Sequence, residues 1–152
     1  MKYKLGELFS GPGGMSLGAM LAKFDDGTDV HEIVHQWASD YDKDSCQTYT
    51  KNICPDSPDT VHHCDVKDLD IPSLTPIDIL AFGFPCNDFS IVGETKGMDG
   101  KFGMLYKYGV NVLNEHNPMA FVAENVSGIK GANGGKAWQK ITADLEKAGK
   151  GY

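Results

Sequence analysis

The run Ile77-Asp78-Ile79-Leu80-Ala81-Phe82, closed by Gly83, limits the folds open to this chain more than any other segment. A short apolar run bounded by turn residues reads as a strand buried on both faces, and such strands belong to parallel sheets covered by helices. The rest of the chain alternates strand and helix in the same sense. Residues 3–9 read as a first strand, 15–24 as an apolar helix buried against the sheet, 25–29 as a polar turn, and 31–39 as a strand ending at Asp40. A helix over 42–52, a loop at Pro55 and Pro58, and a strand over 61–66 follow. After the central strand come a Gly- and charge-rich mobile loop at 93–103, a helix at 105–115 and a strand at 119–123. A last helix spans 136–148, with Trp138, Ile141 and Leu145 on one face. This alternation predicts an α/β fold with a doubly wound, mostly parallel sheet and crossover helices.

Chemistry-bearing residues cluster just past the strand ends, where open α/β sheets bind ligands. Cys86 follows the central strand in Gly83-Phe84-Pro85-Cys86-Asn87-Asp88-Phe89-Ser90. Pro85 stiffens the turn, and Asn87, Asp88 and Ser90 make the following residues a polar loop. A thiol so placed is a candidate nucleophile, against the alternative of a small hydrophobe that happens to be cysteine. Phe9-Ser10-Gly11-Pro12-Gly13-Gly14 joins the first strand to its helix, a place where glycines admit a ligand close to the backbone and a helix offers free N–H groups. It is not the dinucleotide fingerprint, because Ser16 stands where the third glycine is needed. Asp40 lies where a ribose-binding carboxylate belongs, or else is an acid favouring the next helix start. Glu124-Asn125-Val126 follows the strand at 119–123 and brings a carboxyl and an amide to the same sheet edge as Cys86.

Composition narrows the setting. The 152 residues suit one domain with a real core. No apolar run reaches membrane-spanning length and the first residues lack a signal-peptide core, so a cytoplasmic protein is expected, with its four cysteines reduced. Cys46, Cys54, His62, His63 and Cys64 could together supply zinc ligands, but no C-x-x-C pair exists and no metal is expected. Gly149-Lys150-Gly151-Tyr152 reads as a helix stop followed by the opening of another strand. The strand at 119–123 is then expected near an uncovered edge, in a domain incomplete on its C-terminal side.

The three motifs, in this order, resemble motifs one, four and six of the DNA cytosine-5 methyltransferases, and the resemblance covers essentially the whole chain. It implies a Rossmann-like S-adenosylmethionine-dependent fold in which residues 1–152 form the N-terminal portion of the cofactor-binding catalytic domain. By that resemblance Phe9 stacks on the cofactor adenine and Gly11, Pro12, Gly13 and Gly14 line its methionine part. Asp40 holds the ribose hydroxyls beside Tyr41, Asp65 and Val66 meet the adenine edge, and Pro85 and Leu105 close the pocket. Cys86 adds to C6 of a flipped cytosine, Glu124 contacts N3 and the exocyclic amine, and Asn125 orients its neighbours. The segment from Asn87 to Gly103 resembles the loop that closes over DNA.

Two positions depart from the pattern: Asn87 stands where the family usually has Gln, and Lys101-Phe102-Gly103 where it often has Ser-Arg-Gly. The Gln-x-Arg-x-Arg element, the target-recognition domain and the last cofactor motif lie outside these residues. That accounts for the acidic balance, 21 acids against 14 bases, in a protein whose expected partner is double-stranded DNA. The chain is therefore expected to be a fragment of a restriction-modification type methylase or one subunit of a split enzyme completed by a C-terminal partner. By itself it is expected to bind cofactor weakly and to methylate DNA poorly or not at all. A relative that binds cofactor or a partner without catalysis, and a tRNA cytosine-5 methyltransferase, are the alternatives.

Overall fold

The computed structural model describes residues 1–85 and 104–152, the side chains of 132 and 133 excepted. The chain divides into two compact units, Met1–Phe82 with Pro118–Val122, and Gly83–Asn117 with Ala123–Tyr152.

The first unit is built on the sheet. Strands β1 (Lys2–Leu8), β2 (Lys23–Asp25), β3 (Val30–Asp40), β4 (Val61–His63), β5 (Ile79–Gly83) and β6 (Ala120–Glu124) are ordered β2-β3-β1-β5-β6, with β4 also paired to β3. β1 runs parallel to both β3 and β5, and β4 runs parallel to β3; β2 pairs antiparallel with the start of β3. The chain winds outward from β1 through β3 to β4, then crosses to β5 on the other side. β1 therefore lies at the point where winding reverses, and the segment after it opens at the switch point.

Leu5 and Leu8 of β1 and Leu80 and Phe82 of β5 are fully or almost fully buried, as central parallel strands require. Trp37 lies flat over Gly6: a Cβ there would come within 2.5–2.8 Å of the indole, so only glycine lets the ring cover the strand. The indole Nε1 donates to Thr75 O at 3.0 Å, which satisfies its buried N–H. Helices α1 (Gly14–Leu21) and α2 (Lys43–Ile53) pack on β3, and Tyr49, Ile53 and Cys54 form a core with Ala38.

In this unit three expectations are corrected. The apolar helix read over 15–24 stops at Leu21, and Lys23–Asp25 forms β2 instead, because Ala22 leaves the helix with extended backbone (φ −73°, ψ 122°). That helix is not buried either: Ser16 is its buried residue, while Leu17 is 49% and Leu21 73% exposed. The strand read over 61–66 is Val61–His63, since Asp65 caps a 3-10 turn with its carboxylate.

The second unit packs α3 (Tyr106–His116) on α4 (Lys136–Glu146). Tyr106, buried, donates its hydroxyl to Asp144 Oδ2 at 2.6 Å, and Val112, Leu113, Ile141 and Leu145 supply apolar burial. Of the face read on α4, Ile141 and Leu145 are buried, but Trp138 is 40% exposed, with the Lys130 ammonium 5.6 Å from its ring centroid. The helix stops as expected: Gly149 takes φ +58° and its N–H donates to Asn114 Oδ1 at 2.7 Å. Gly151 and Tyr152 are not in a strand; their N–H groups donate back to Ala148 O and Glu146 O.

Candidate active site

In the first unit the ends of β1, β3 and β4 converge. Phe9 leaves β1 with φ +54°, a left-handed conformation uncommon for an aromatic residue, and Gly11 and Gly13 follow at φ +51° and +98°. The turn is pinned at several points. Ser10 N donates to Ser39 O at 3.1 Å, Gly13 N donates to Ser10 O at 3.1 Å, and Gly11 N donates to Asp40 Oδ2 at 2.8 Å. The other Asp40 oxygen accepts the Asp42 N–H at 2.9 Å. One carboxylate thus clasps the glycine turn to the start of α2, where Asp42 caps the helix through Ser45 N.

β4 brings the third edge. His63 pairs with Asp40 in register, and Cys64 N donates to Asp40 O at 3.1 Å. Asp65 follows, exposed, accepting from Lys67 N, and the Val66 side chain turns into the core. Phe9, Gly11, Pro12, Gly13, Gly14, Asp40, Tyr41 and Asp65 are therefore gathered along adjacent strand ends, with Tyr41 74% exposed.

The turn has room for a ligand. A Cβ on Gly11 or on Gly14 would meet nothing within 4 Å, whereas one on Gly13 would strike Tyr49 and Ile53 at 2.9 Å. Gly11 and Gly14 leave space at the α1 start, and Gly13 is required by packing below. A carboxylate, a half-buried aromatic ring and an open glycine turn fit a nucleoside bearing a charged amino-acid tail.

Beneath the turn lies a polar network that sequence reading missed. Glu7 on β1 is fully buried, and Ser16 of α1 shares a short hydrogen bond with its Oε2. Ser16 Oγ is 2.6 Å from Tyr49 Oη, Tyr49 Oη 3.1 Å from His35 Nδ1, and His35 Nε2 2.7 Å from Thr60 Oγ1. Glu7 Oε1 has no hydrogen-bond partner among the described residues. The signal was present in Leu5-Gly6-Glu7-Leu8, an acid inside a strand otherwise fit for the core. Burial, only partly offset by the Ser16 and Tyr49 hydrogen bonds, raises the Glu7 carboxyl from 4.5 to about 7. Burial also lowers the affinity of the His35 imidazole for a second proton.

A pH dependence of stability follows, with a definite sign. Between about 4.5 and about 7 the unfolded chain has lost the Glu7 proton while the fold retains it. Stability is expected to fall as pH rises through that window and to level off above it, by roughly 3 kcal/mol in total. Urea midpoints across the window, compared between the wild type and Glu7→Gln, isolate the effect; equal slopes in the two would refute it.

In the second unit, Phe84 and Pro85 lead from β5 toward Cys86, which with the rest of 86–103 lies outside the described residues. Cys86, read as the nucleophile, Asn87 and the loop read at 93–103 fall there. Asn125 Nδ2 donates to Phe84 O at 2.8 Å, and Asn125 Oδ1 accepts the Val126 N–H at 2.9 Å. The Glu-Asn-Val segment is therefore tied to the backbone two residues before Cys86. Glu124 is exposed, and Pro85 and Leu105 are half-buried.

The zinc alternative finds no geometry: among the described residues no group of three or more His, Cys, Asp or Glu could hold a metal ion. Cys46 Sγ donates to Asp40 O, Cys54 sits in the apolar core, and His63 Nε2 is 3.2 Å from Tyr41 O. No helix among the described residues is long and apolar enough to cross a membrane.

The chain is 55% identical over its full length to the type II methyltransferase M.BbvI of Brevibacillus brevis, covering 42% of that protein. It is 37% identical to the type II methyltransferase M.NgoFVII of Neisseria gonorrhoeae over 97% of this chain and 37% of the relative. The chain thus spans about two fifths of the length of these curated relatives. Among solved structures, S. pombe Dnmt2 methyltransferase shares the fold with a TM-score of 0.60 at 22% identity, over 94% of this chain and 42% of that one. The model of the C-5 cytosine-specific DNA methylases matches residues 3–152, and the chain belongs to that family.

Proposed function

We propose that these residues form the cofactor-binding, nucleophile-bearing part of a restriction-modification type DNA cytosine-5 methyltransferase. The observation that carries the reading is the hydrogen bond from Asn125 to Phe84 O, which ties the Glu124-Asn125 segment to the backbone leading into Cys86. The Gly11–Asp40 clasp and the open space at Gly11 and Gly14 support S-adenosylmethionine as the cofactor. When bound, S-adenosylmethionine supplies a methyl group made electrophilic by its sulfonium.

The residues of this chain prepare the acceptor. The Cys86 thiolate adds to C6 of a cytosine turned out of the duplex, and the electron pair displaced from the C5–C6 bond makes C5 nucleophilic. Glu124 holds N3 and the exocyclic amine as charge moves onto the ring. After methylation, loss of the C5 proton expels Cys86 as thiolate and restores the aromatic ring. Cysteine with an ordinary pKa near 8.5 is only a few per cent thiolate at neutral pH, so substrate binding or the loop environment must supply activation. Double-stranded DNA is the proposed partner. The polypeptide that reads the target base pairs is proposed to lie in the remainder of the protein or in a complementary subunit.

The test is transfer of labelled methyl groups from S-adenosylmethionine to duplex DNA by the full-length protein, with its complementary subunit added where one exists. Label recovered as 5-methylcytosine is expected; label on cytosines of tRNA alone, or on none, would overturn the reading.

A further inference from the structure

We propose that Glu7 is a positioning residue of the cofactor site: an uncharged carboxylic acid at the head of a one-way hydrogen-bond chain that locks α1 to α2 beneath the glycine turn. The inference rests on the S-adenosylmethionine reading above.

Proton counting along the chain carries the argument. Thr60 Oγ1 donates its single hydrogen to Ser57 O at 2.6 Å, so it can only accept from His35 Nε2. A neutral imidazole protonated at Nε2 must accept at Nδ1, which makes Tyr49 the donor there. Tyr49, its hydrogen used, accepts from Ser16. Ser16 Oγ donates to Glu7 Oε2 when Glu7 is ionised, but with that hydrogen on Tyr49 the Glu7–Ser16 bond holds only if Glu7 itself donates as the acid. The unpartnered Glu7 Oε1 agrees: a bare carboxylate oxygen sealed from water costs far more than the carbonyl of a neutral acid.

The same residues shape the turn. The Tyr49 ring lies where a Gly13 Cβ would be, at 2.9 Å, and Ser16 sits in the first turn of α1, just after Gly14. The network therefore braces the glycine turn from β1, α1 and α2 at once. The titratable groups acting on Glu7 are Asp40 on β3 and Tyr49 on α2, with His35 and Cys54 facing Tyr49 in turn, while α1 and β5 contribute none. Removing the Glu7 proton would force Ser16 to donate to the carboxylate and Tyr49 and His35 to reverse, loosening the brace.

Calorimetric titration of the full-length protein with S-adenosylmethionine tests this. Glu7→Gln keeps a donor toward Ser16 and is expected to hold affinity within about threefold of the wild type, whereas Glu7→Ala loses about tenfold or more. KM for S-adenosylmethionine should rise in Glu7→Ala with kcat at saturation changed less than about twofold. Should Glu7→Ala not fold, Tyr49→Phe, which keeps the ring on Gly13 and removes the hydroxyl, is expected to weaken binding severalfold. Wild-type affinity should fall as pH rises past about 7 and stay level in Glu7→Gln. If Glu7 served as a charge for the cationic cofactor, Glu7→Gln would weaken binding as much as Glu7→Ala and wild-type affinity would rise with pH; either result overturns the proposal. Absence of cofactor binding by the wild type at every pH would overturn the functional reading itself, and the role of Glu7 with it.

Discussion

Cys86→Ser is expected to lower methyl transfer to DNA by at least about a thousandfold, the scale on which removing an enzyme nucleophile acts. A serine hydroxyl is almost wholly protonated at neutral pH and is a weaker nucleophile than a thiolate, so addition at C6 becomes limiting. The defect should be confined to chemistry. The glycine turn and Asp40 belong to the other compact unit, and S-adenosylmethionine affinity should change less than about threefold. A duplex carrying 5-fluorocytosine adds a sharper readout. Fluorine leaves no proton to remove at C5, so the wild-type enzyme should remain covalently attached and survive denaturation, while Cys86→Ser releases its DNA. A Cys86→Ser protein that still methylates at near wild-type rate would remove this residue from the nucleophile role.

Gly13→Ala carries the second large effect, and Gly14→Ala is its internal control. At Gly13 the backbone holds φ +98°, and an added methyl would lie 2.9 Å from Tyr49 Cδ2 and Ile53 Cγ1 in a buried setting. Left-handed strain of about 1–2 kcal/mol and overpacking of about 1–3 kcal/mol together predict a loss of roughly 3 kcal/mol. That is a large share of the stability of about 5–15 kcal/mol typical of a domain. Gly14 opens α1, has no positive φ and meets nothing within 4 Å. Alanine there is expected to be neutral or to stabilise by up to about 1 kcal/mol through helix propensity, yet to weaken cofactor binding by filling the open space. Urea unfolding and S-adenosylmethionine titration of the two variants separate the roles. Equal stability losses would contradict the assignment of Gly13 to packing and Gly14 to the ligand side.

Much of this was legible beforehand because it is local. The apolar run ending at Gly83 marks a buried parallel strand whatever surrounds it, and Phe9-Ser10-Gly11-Pro12-Gly13-Gly14 needs left-handed backbone that glycine supplies. What was misread depends on neighbours distant in sequence. The apolar residues of α1 read as buried, yet Leu17 and Leu21 are exposed and the residue that packs inward is Ser16. Hydrophobic periodicity says that a face is fit to be covered, but it cannot say what covers it. The exit at Ala22 was likewise decided by pairing of Lys23–Asp25 with the start of β3, a non-local gain that overrode local helix pattern.

The sequence by itself determined the order of the strands and helices, β2 excepted, and the placing of Asp40 and Glu124-Asn125 at strand ends, because period, turn chemistry and motif spacing are written along the chain. Only the tertiary structure decided that Asp40 clasps Gly11, that Asn125 is tied to Phe84, and that Glu7 is sealed beneath the glycine turn with Ser16 and Tyr49. Those facts join residues 29, 41, 9 and 42 positions apart or bury them together. Burial and hydrogen-bond partnership are properties of the packed chain, and the protonation of Glu7 follows from both.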